Sequence, residues 1–271
     1  MKIALTGSTG NLGSLILKQL LLRCRAQDLI LSVRQPNSTN GYRDPNLDVR
    51  YGDYDITESL ERSFRGADKL MMISSPCMDD TVRLRQHLSV VEAARQAGIN
   101  HIVYTSIFSP EKGRLSVHQL HLDTEQAIQE SKIPYTILRN AYYTDIVNFL
   151  GIREAATSGV LLSPPGNWTF NTASRWDLAQ AAATVLTEEG HEYQTYELTP
   201  TRTWNLNDLA RSITEVTGRQ VVHCTDNDYQ NNIYQMLPYS DMQSVSNDLA
   251  KLIGKPLRTV TDEVRDIFGE T

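Results

Sequence analysis

Apolar residues in the first half of this chain fall into short runs. Between the runs lie longer stretches in which apolar positions recur every three or four residues. The runs at 3–5, 29–33, 48–51, 70–73, 101–104 and 135–138 predict strands. The spaced patterns at 12–23, 59–64, 81–96 and 120–130 predict helices. Strands that are apolar on both sides and alternate with helices predict a parallel sheet covered on both faces. Ala97-Gly98 closes one helical pattern and Ile133-Pro134 marks another boundary. Residues 35–45, rich in Pro, Asn, Ser, Gly and Asp, predict a mobile loop.

The second half is less regular. Residues 159–162 and 168–170 predict short strands around the turn Pro164-Pro165-Gly166. An alanine-rich helix is expected over 175–186, a strand over 195–198, a helix over 206–216 ending at Gly218, and a strand over 220–223. Further helices are expected around 229–236, 245–253 and 262–268. No internal repeat or low-complexity segment interrupts the chain. The expected division is a first domain over 1–150, to which 174–200 returns, and a smaller C-terminal portion over 151–271.

The 271 residues are 40% hydrophobic and 21% charged, enough to bury one large core or two smaller ones. A net charge of −6 without basic blocks argues against a nucleic-acid partner. Cys24, Cys77 and Cys224 are far apart and form no CxxC, which fits a reducing compartment. There is no charged-then-apolar leader and no apolar run near 18 residues, so a soluble, cytoplasmic protein without a membrane partner is expected.

Candidate chemistry starts at Leu5-Thr6-Gly7-Ser8-Thr9-Gly10-Asn11-Leu12-Gly13, between the first strand and the first helix. Glycines at this spacing in a strand-to-helix turn suit a dinucleotide pyrophosphate. Gly7 is expected to turn the backbone off the strand, Gly10 to let the main chain approach the phosphates, and Gly13 to let the helix pack closely. The helix N-terminus adds unpaired N–H groups and partial positive charge. The candidate cofactor set here is Gly7, Ser8, Thr9, Gly10, Asn11, Leu12 and Gly13.

The second strand ends Leu31-Ser32-Val33-Arg34. An NAD site commonly carries an acid at this edge for the ribose hydroxyls; here there is an arginine, whose charged fork suits a 2′-phosphate. NADP is therefore expected over NAD. Asp53, after the third strand, is either an adenine-flanking residue or a turn residue. In a parallel sheet the ligand crevice lies at the carboxyl ends of the strands. That adds Ser74-Ser75-Pro76, Thr105-Ser106-Ile107-Phe108 and Asn140-Ala141-Tyr142-Tyr143 to the expected lining. Ser75, Ser106 and Asn140 are candidate cofactor contacts.

Taken together, Thr6-Gly7-Ser8-Thr9-Gly10-Asn11-Leu12-Gly13, Tyr104-Thr105-Ser106, Thr124-Glu125, Pro134-Tyr135-Thr136-Ile137-Leu138-Arg139-Asn140 and Asp248-Leu249-Ala250-Lys251-Leu252-Ile253-Gly254-Lys255-Pro256 resemble the NmrA-like atypical short-chain dehydrogenases/reductases. The nearest branch holds the bacterial NAD(P)H:quinone oxidoreductases and the triphenylmethane and azo-dye reductases. The resemblance spans nearly the whole chain. It implies an α/β fold with a Rossmann-type doubly wound parallel sheet, a smaller C-terminal α+β portion covering the substrate side, and a cleft between them.

Ordinary short-chain dehydrogenases use a Tyr-x-x-x-Lys pair to move a proton to or from the substrate oxygen. The corresponding segment, 115–125, contains neither residue: Val117 stands at the tyrosine place and His121 at the lysine place. Alcohol–ketone chemistry by that pair is disfavoured. His121 is a candidate cofactor contact, and His118 is expected at the surface or rim. His118 and His121 share a helix face but lack further ligands at a metal-binding spacing, so no metal is expected. Candidate catalytic groups are His121, Tyr142 and Asn140. Candidate acceptor contacts are Phe108, Tyr142 and Tyr143, with Trp168 and Phe170 as candidate wall residues. The leading expectation is an NADPH-dependent reductase of a quinone or similar conjugated small molecule, with a homodimer left open. The alternative is a non-catalytic NADP(H)-binding redox sensor that regulates a partner protein. A sugar-nucleotide epimerase is disfavoured by the missing pair.

Overall fold

The computed structural model describes residues 1–37 and 44–269. Part of the expected loop at 35–45 therefore lies outside the described residues. In chain order the elements are β1 (Ile3–Thr6), α1 (Asn11–Leu21), β2 (Leu29–Val33), β3 (Asp48–Tyr51), α2 (Thr57–Phe64), β4 (Lys69–Met72) and α3 (Asp80–Ala97). They continue with β5 (His101–Ile107), α4 (Ser116–Glu130), β6 (Tyr135–Asn140), α5 (Ile152–Ser158), β7 (Val160–Ser163), β8 (Thr169–Phe170) and α6 (Arg175–Thr187). The last are β9 (Gln194–Leu198), β10 (Trp204–Asn205), α7 (Leu206–Thr217), β11 (Val222–Thr225), α8 (Asn232–Met236), α9 (Asp248–Ile253) and α10 (Val260–Gly269).

Seven strands form one parallel sheet in the order β3-β2-β1-β4-β5-β6-β9, a Rossmann-type arrangement. The inner strands β1, β2 and β4 are buried at every position because helices cover both faces, whereas the edge strands β3 and β9 are polar and partly exposed. Ile3 and Leu5 point into a core shared with Ile16 and Leu20 of α1 and with the alanines of α6, such as Ala179 and Ala182. Ala4 and Ile30 point the other way, towards Leu60 and Phe64 of α2 and Val90 and Ala94 of α3. Segment 174–200 supplies α6 to one face and β9 to the sheet edge.

A second core gathers the C-terminal elements. Leu161, Phe170, Trp204, Leu209, Ile213, Tyr234 and Val264 pack there. It begins earlier in the chain than residue 151, because Ile146, Val147 and Leu150 already belong to it. One later element goes back: Leu249 of α9 packs in the core of the main sheet. Two small sheets, antiparallel β10-β8 and parallel β11-β7, complete this portion.

Several boundaries differ from the sequence expectation. β5 runs to Ile107 rather than Tyr104, and β6 to Asn140 rather than Leu138, because the polar strand ends pair with each other from Thr105–Leu138 to Ile107–Asn140. α4 starts at Ser116, four residues before its apolar pattern becomes regular. The strand expected at 220–223 lies at Val222–Thr225, where it pairs with β7 in register Val222–Val160 to Thr225–Ser163. α5 and the two-residue β10 carry too few residues for a periodic signal. Among the described residues no helix is long and apolar enough to cross a membrane.

Candidate active site

β1 and β4 are neighbours from which the strand order runs outward in both directions, so a crevice opens beyond their carboxyl ends. Its volume, about 660 Å³, lies within the range of small-molecule and cofactor sites. The glycine turn forms one side: Gly7, Thr9, Gly10, Asn11, Leu12 and Gly13 all line it. Gly7 has φ of 62°, a left-handed conformation that side chains disfavour. A Cβ at Gly13 would stand 2.1 Å from the Gly7 carbonyl oxygen, so only glycine lets α1 start against this turn. A Cβ at Gly10 would meet only the Gly7 oxygen, at 3.4 Å; beyond it lies the crevice. Gly10 is the N-cap of α1 and no side chain caps it, whereas Asp79 caps α3 and Ser174 caps α6. The first amides of α1 thus border an open space suited to an anion. This cradle fits a dinucleotide pyrophosphate. Ser8 is buried behind the turn, outside the lining.

Arg34 lines the crevice at the end of β2, is exposed, and has no ion-pair partner among the described residues. Asp53 also lines it and doubles as a turn residue: its Oδ1 accepts from the Asp55 N–H at 3.1 Å. Tyr54 donates to the Ile73 carbonyl at 2.7 Å, and its oxygen is 2.6 Å from the Thr6 hydroxyl. That tie fixes the ends of β1 and β4 relative to each other.

Ser75 lines the opposite side, held by α3. Its hydroxyl donates to Gln86 Oε1 at 2.5 Å and its N–H donates to His87 Nε2 at 2.9 Å. A ring nitrogen that accepts an N–H carries no hydrogen, so His87 holds its hydrogen on Nδ1 and donates it to Thr124 Oγ1 at 2.9 Å. Burial, with the Arg83 guanidinium second, pushes this imidazole down to about 3 and keeps it neutral. Arg83 in turn donates to the Ser74 hydroxyl at 2.8 Å.

A smaller apolar recess of about 210 Å³ adjoins the crevice. Tyr143 lines both. Tyr142, Ile146, Phe149, Ile233, Met236 and Leu237 provide most of the remaining wall, and Ser240 and Asp145 are its polar positions. The Arg175 guanidinium lies 3.7 Å from the Tyr143 ring centroid, and its Nε donates to Asp145 Oδ2 at 2.8 Å. This clamp holds the shared aromatic wall in place. Burial raises the Tyr143 phenol, with Arg175 opposing it.

Besides Ser8, four expected site residues do not line these spaces. The Ser106 hydroxyl donates to Glu125 Oε1 at 2.5 Å, within a cluster where Arg139 binds Glu125, Glu197 and Glu111. His121 is buried with Nδ1 2.7 Å from the Tyr104 hydroxyl, and burial holds its imidazole well below the usual histidine range. Phe108 packs in the main core. Asn140 is buried at the end of β6, and its Oδ1 has no partner among the described residues. Trp168 and Phe170 also stay in the second core, against Tyr234 and Trp204. Sequence reasoning missed Cys77, Gln86 and Arg175 on the crevice. Arg175 follows the Ser174 cap directly, a signal for a helix start but not for a place at the cleft. Among the described residues no group of three or more His, Cys, Asp or Glu is placed to hold a metal ion.

A family profile described as NAD(P)H-binding matches residues 7–189. Quinone oxidoreductase 2 of Escherichia coli is 33% identical over 98% of this chain and 99% of that protein. An NmrA-like family domain-containing oxidoreductase of Aspergillus flavus is 31% identical over 82% of this chain and 73% of its own length. Among solved structures, the Citrobacter sp. triphenylmethane reductase complexed with NADP(H) superposes with a TM-score of 0.90 at 38% identity, covering 98% of this chain and 99% of that one. The crevice, the glycine turn and these likenesses place the chain in the NAD(P)H-binding family, in its NmrA-like branch.

Proposed function

We propose that this protein is an NADPH-dependent reductase of quinones or similar planar conjugated acceptors. The observation that carries the reading is Tyr143, which forms a common wall between the crevice that fits a dinucleotide and an apolar recess. The related quinone oxidoreductase and triphenylmethane reductase support it.

In this reading the amides at the start of α1 hold the pyrophosphate, Arg34 holds the 2′-phosphate, and Ser75 and Asp53 flank the remainder of the cofactor. The bound nicotinamide supplies a hydride. The chain's own part is to orient donor and acceptor and to exclude water. Tyr142 and Tyr143 offer flat faces to a planar ring, and Ile146, Phe149, Ile233, Met236 and Leu237 favour an apolar one. Val117 and His121 stand where a Tyr-x-x-x-Lys pair would be, and His121 is turned into the Tyr104 contact. The acceptor must therefore be one whose reduction does not depend on that pair, as an electron-poor quinone ring is.

Steady-state oxidation of NADPH and NADH against a panel of quinones and cationic dyes tests the reading. Acceptor-dependent turnover with NADPH favoured is expected. Rates equal to the enzyme-free control for every acceptor would refute it.

A further inference from the structure

We propose that Tyr142 is the acid that protonates the acceptor's oxygen, and that Ser240 and His118 are positioning residues that turn its hydrogen into the recess. The proposal rests on the reductase reading above. Tyr142 and Ser240 both line the apolar recess, and their side-chain oxygens are 2.9 Å apart. His118 Nε2 stands behind them, 3.4 Å from the Ser240 hydroxyl. The chain of contacts thus runs from a buried imidazole, through a serine, to a tyrosine on the acceptor wall.

Its direction follows from the other end of the imidazole. The Leu115 N–H donates to His118 Nδ1 at 3.2 Å. A hydrogen on Nδ1 would reach the Leu115 carbonyl, also at 3.2 Å, but would set two N–H groups against each other. The neutral ring therefore carries its hydrogen on Nε2 and donates it to Ser240. In the proposed chain the single Ser240 hydrogen is assigned to the Tyr142 oxygen, 2.9 Å away. The Tyr142 hydrogen is left over and points to the recess. The arrangement is held firmly: His118 is 2% exposed, and a Cβ at Gly113 would stand 2.1 Å from its Cδ2. Ser240 is fixed from both sides, as the Arg114 N–H donates to the Tyr239 carbonyl at 2.9 Å and Lys112 binds Asp241 at 2.8 Å.

The step balances with the hydride supplied by the reductase activity. The hydride brings an electron pair into the conjugated acceptor, and negative charge collects on its oxygen. The Tyr142 O–H bond breaks as the acceptor O–H bond forms. The phenolate that remains accepts the Ser240 hydrogen bond, and water returns its proton after the product leaves.

The test compares Tyr142→Phe, Ser240→Ala, His118→Asn and His118→Gln in the full chain. The Asn amide retains an acceptor for the Leu115 N–H but has nothing at the Nε2 place. The Gln amide reaches the Nε2 place but gives up the Leu115 contact. Tyr142→Phe is expected to lower kcat by about 10²-fold, the low end for a positioned acid, and to abolish the solvent deuterium isotope effect, while NADPH affinity changes less than twofold. Ser240→Ala and His118→Asn are expected to lower kcat severalfold, and His118→Gln to recover part of that loss. Nitrogen-15 NMR of the imidazoles, without cofactor or acceptor, is expected to show the His118 hydrogen on Nε2. A hydrogen on Nδ1, or recovery by Asn rather than Gln, would overturn the positioning role. An unaltered kcat and isotope effect in Tyr142→Phe would overturn the acid role alone. An inert wild-type protein would overturn the reductase reading and the acid role together.

Discussion

Arg34 stands exposed at the carboxyl end of β2, at the edge where NAD sites commonly carry an acid for the ribose hydroxyls. An exposed guanidinium with no ion-pair partner among the described residues is free to bind a phosphate bidentately. Arg34→Glu replaces that partner with like charge. It is expected to weaken NADPH binding by about tenfold or more, the equivalent of ~1.4 kcal/mol, and NADH binding much less. Fluorescence titration with both nucleotides checks it, and equal losses would show that Arg34 does not reach the 2′-phosphate. The place of the glycines and Arg34 at the crevice was legible in the sequence because its demands are local: a left-handed φ at Gly7, a forbidden Cβ at Gly13, a charge at a strand end. Ser106 and His121 were not, since the direction of each is set by partners distant in sequence. Ser106 turns to Glu125 because Arg139 brings that carboxylate to the sheet, and His121 turns to Tyr104 from another element.

At the level of elements, α3 does more than cover the sheet. Its His87 accepts the Ser75 N–H and so sets the β4–α3 turn that lines the crevice. The sequence showed α3 by its apolar spacing and its end by Gly98, and the structure adds Asp79 as the cap of its start. The inward histidine broke that pattern and carried no sign of its backbone partner. Burying neutral histidines has a consequence for pH. His87 is pushed down to about 3 and His101 to about 4, chiefly by burial, and His121 also lies well below 6.5. The unfolded chain protonates these rings near 6.5 and the folded chain does not, so the unfolded state binds more protons below that pH. Their stabilising contribution is full above about pH 6.5 and is lost as pH falls towards 4, at up to ~1.4 kcal/mol per pH unit for each histidine. Urea midpoints at pH 7.5 and 5.0 are expected to drop on acidification, and less steeply in His87→Asn. A variant with the wild-type slope would remove His87 from this account.

Across the whole molecule, the main sheet and the C-terminal portion have separate hydrophobic cores, and the apolar recess is lined mostly by residues of the second core and the elements packed against it. The second core was hard to read because strands of two residues and helices of five to seven leave no period to detect. Besides the apolar packing of α9 through Leu249, polar long-range contacts that the sequence does not show tie the C-terminal portion to the sheet side. Asp241 receives Lys112 at 2.8 Å and the Ser109 hydroxyl at 3.3 Å, while its backbone carbonyl accepts from Asn171 at 3.0 Å. Burial works against its charge, but Lys112 and the Ser244 and Gln243 amides hold the carboxyl well below the usual carboxylate range. Of these partners Lys112 is 63% exposed, whereas the Asp241 side chain is 8% exposed and serves several donors at once. Removing the lysine costs one solvent-screened contact; removing the carboxylate leaves the Ser109, Gln243 and Ser244 donors without it. Asp241→Ala is therefore expected to raise the acceptor KM severalfold and lower Tm by several degrees, with NADPH affinity retained because the glycine turn and Arg34 lie on the sheet side. Lys112→Ala is expected to do much less. Calorimetry with separate NADPH and acceptor titrations distinguishes the two, and a loss of NADPH binding in Asp241→Ala would mean that the docked C-terminal segment also shapes the crevice.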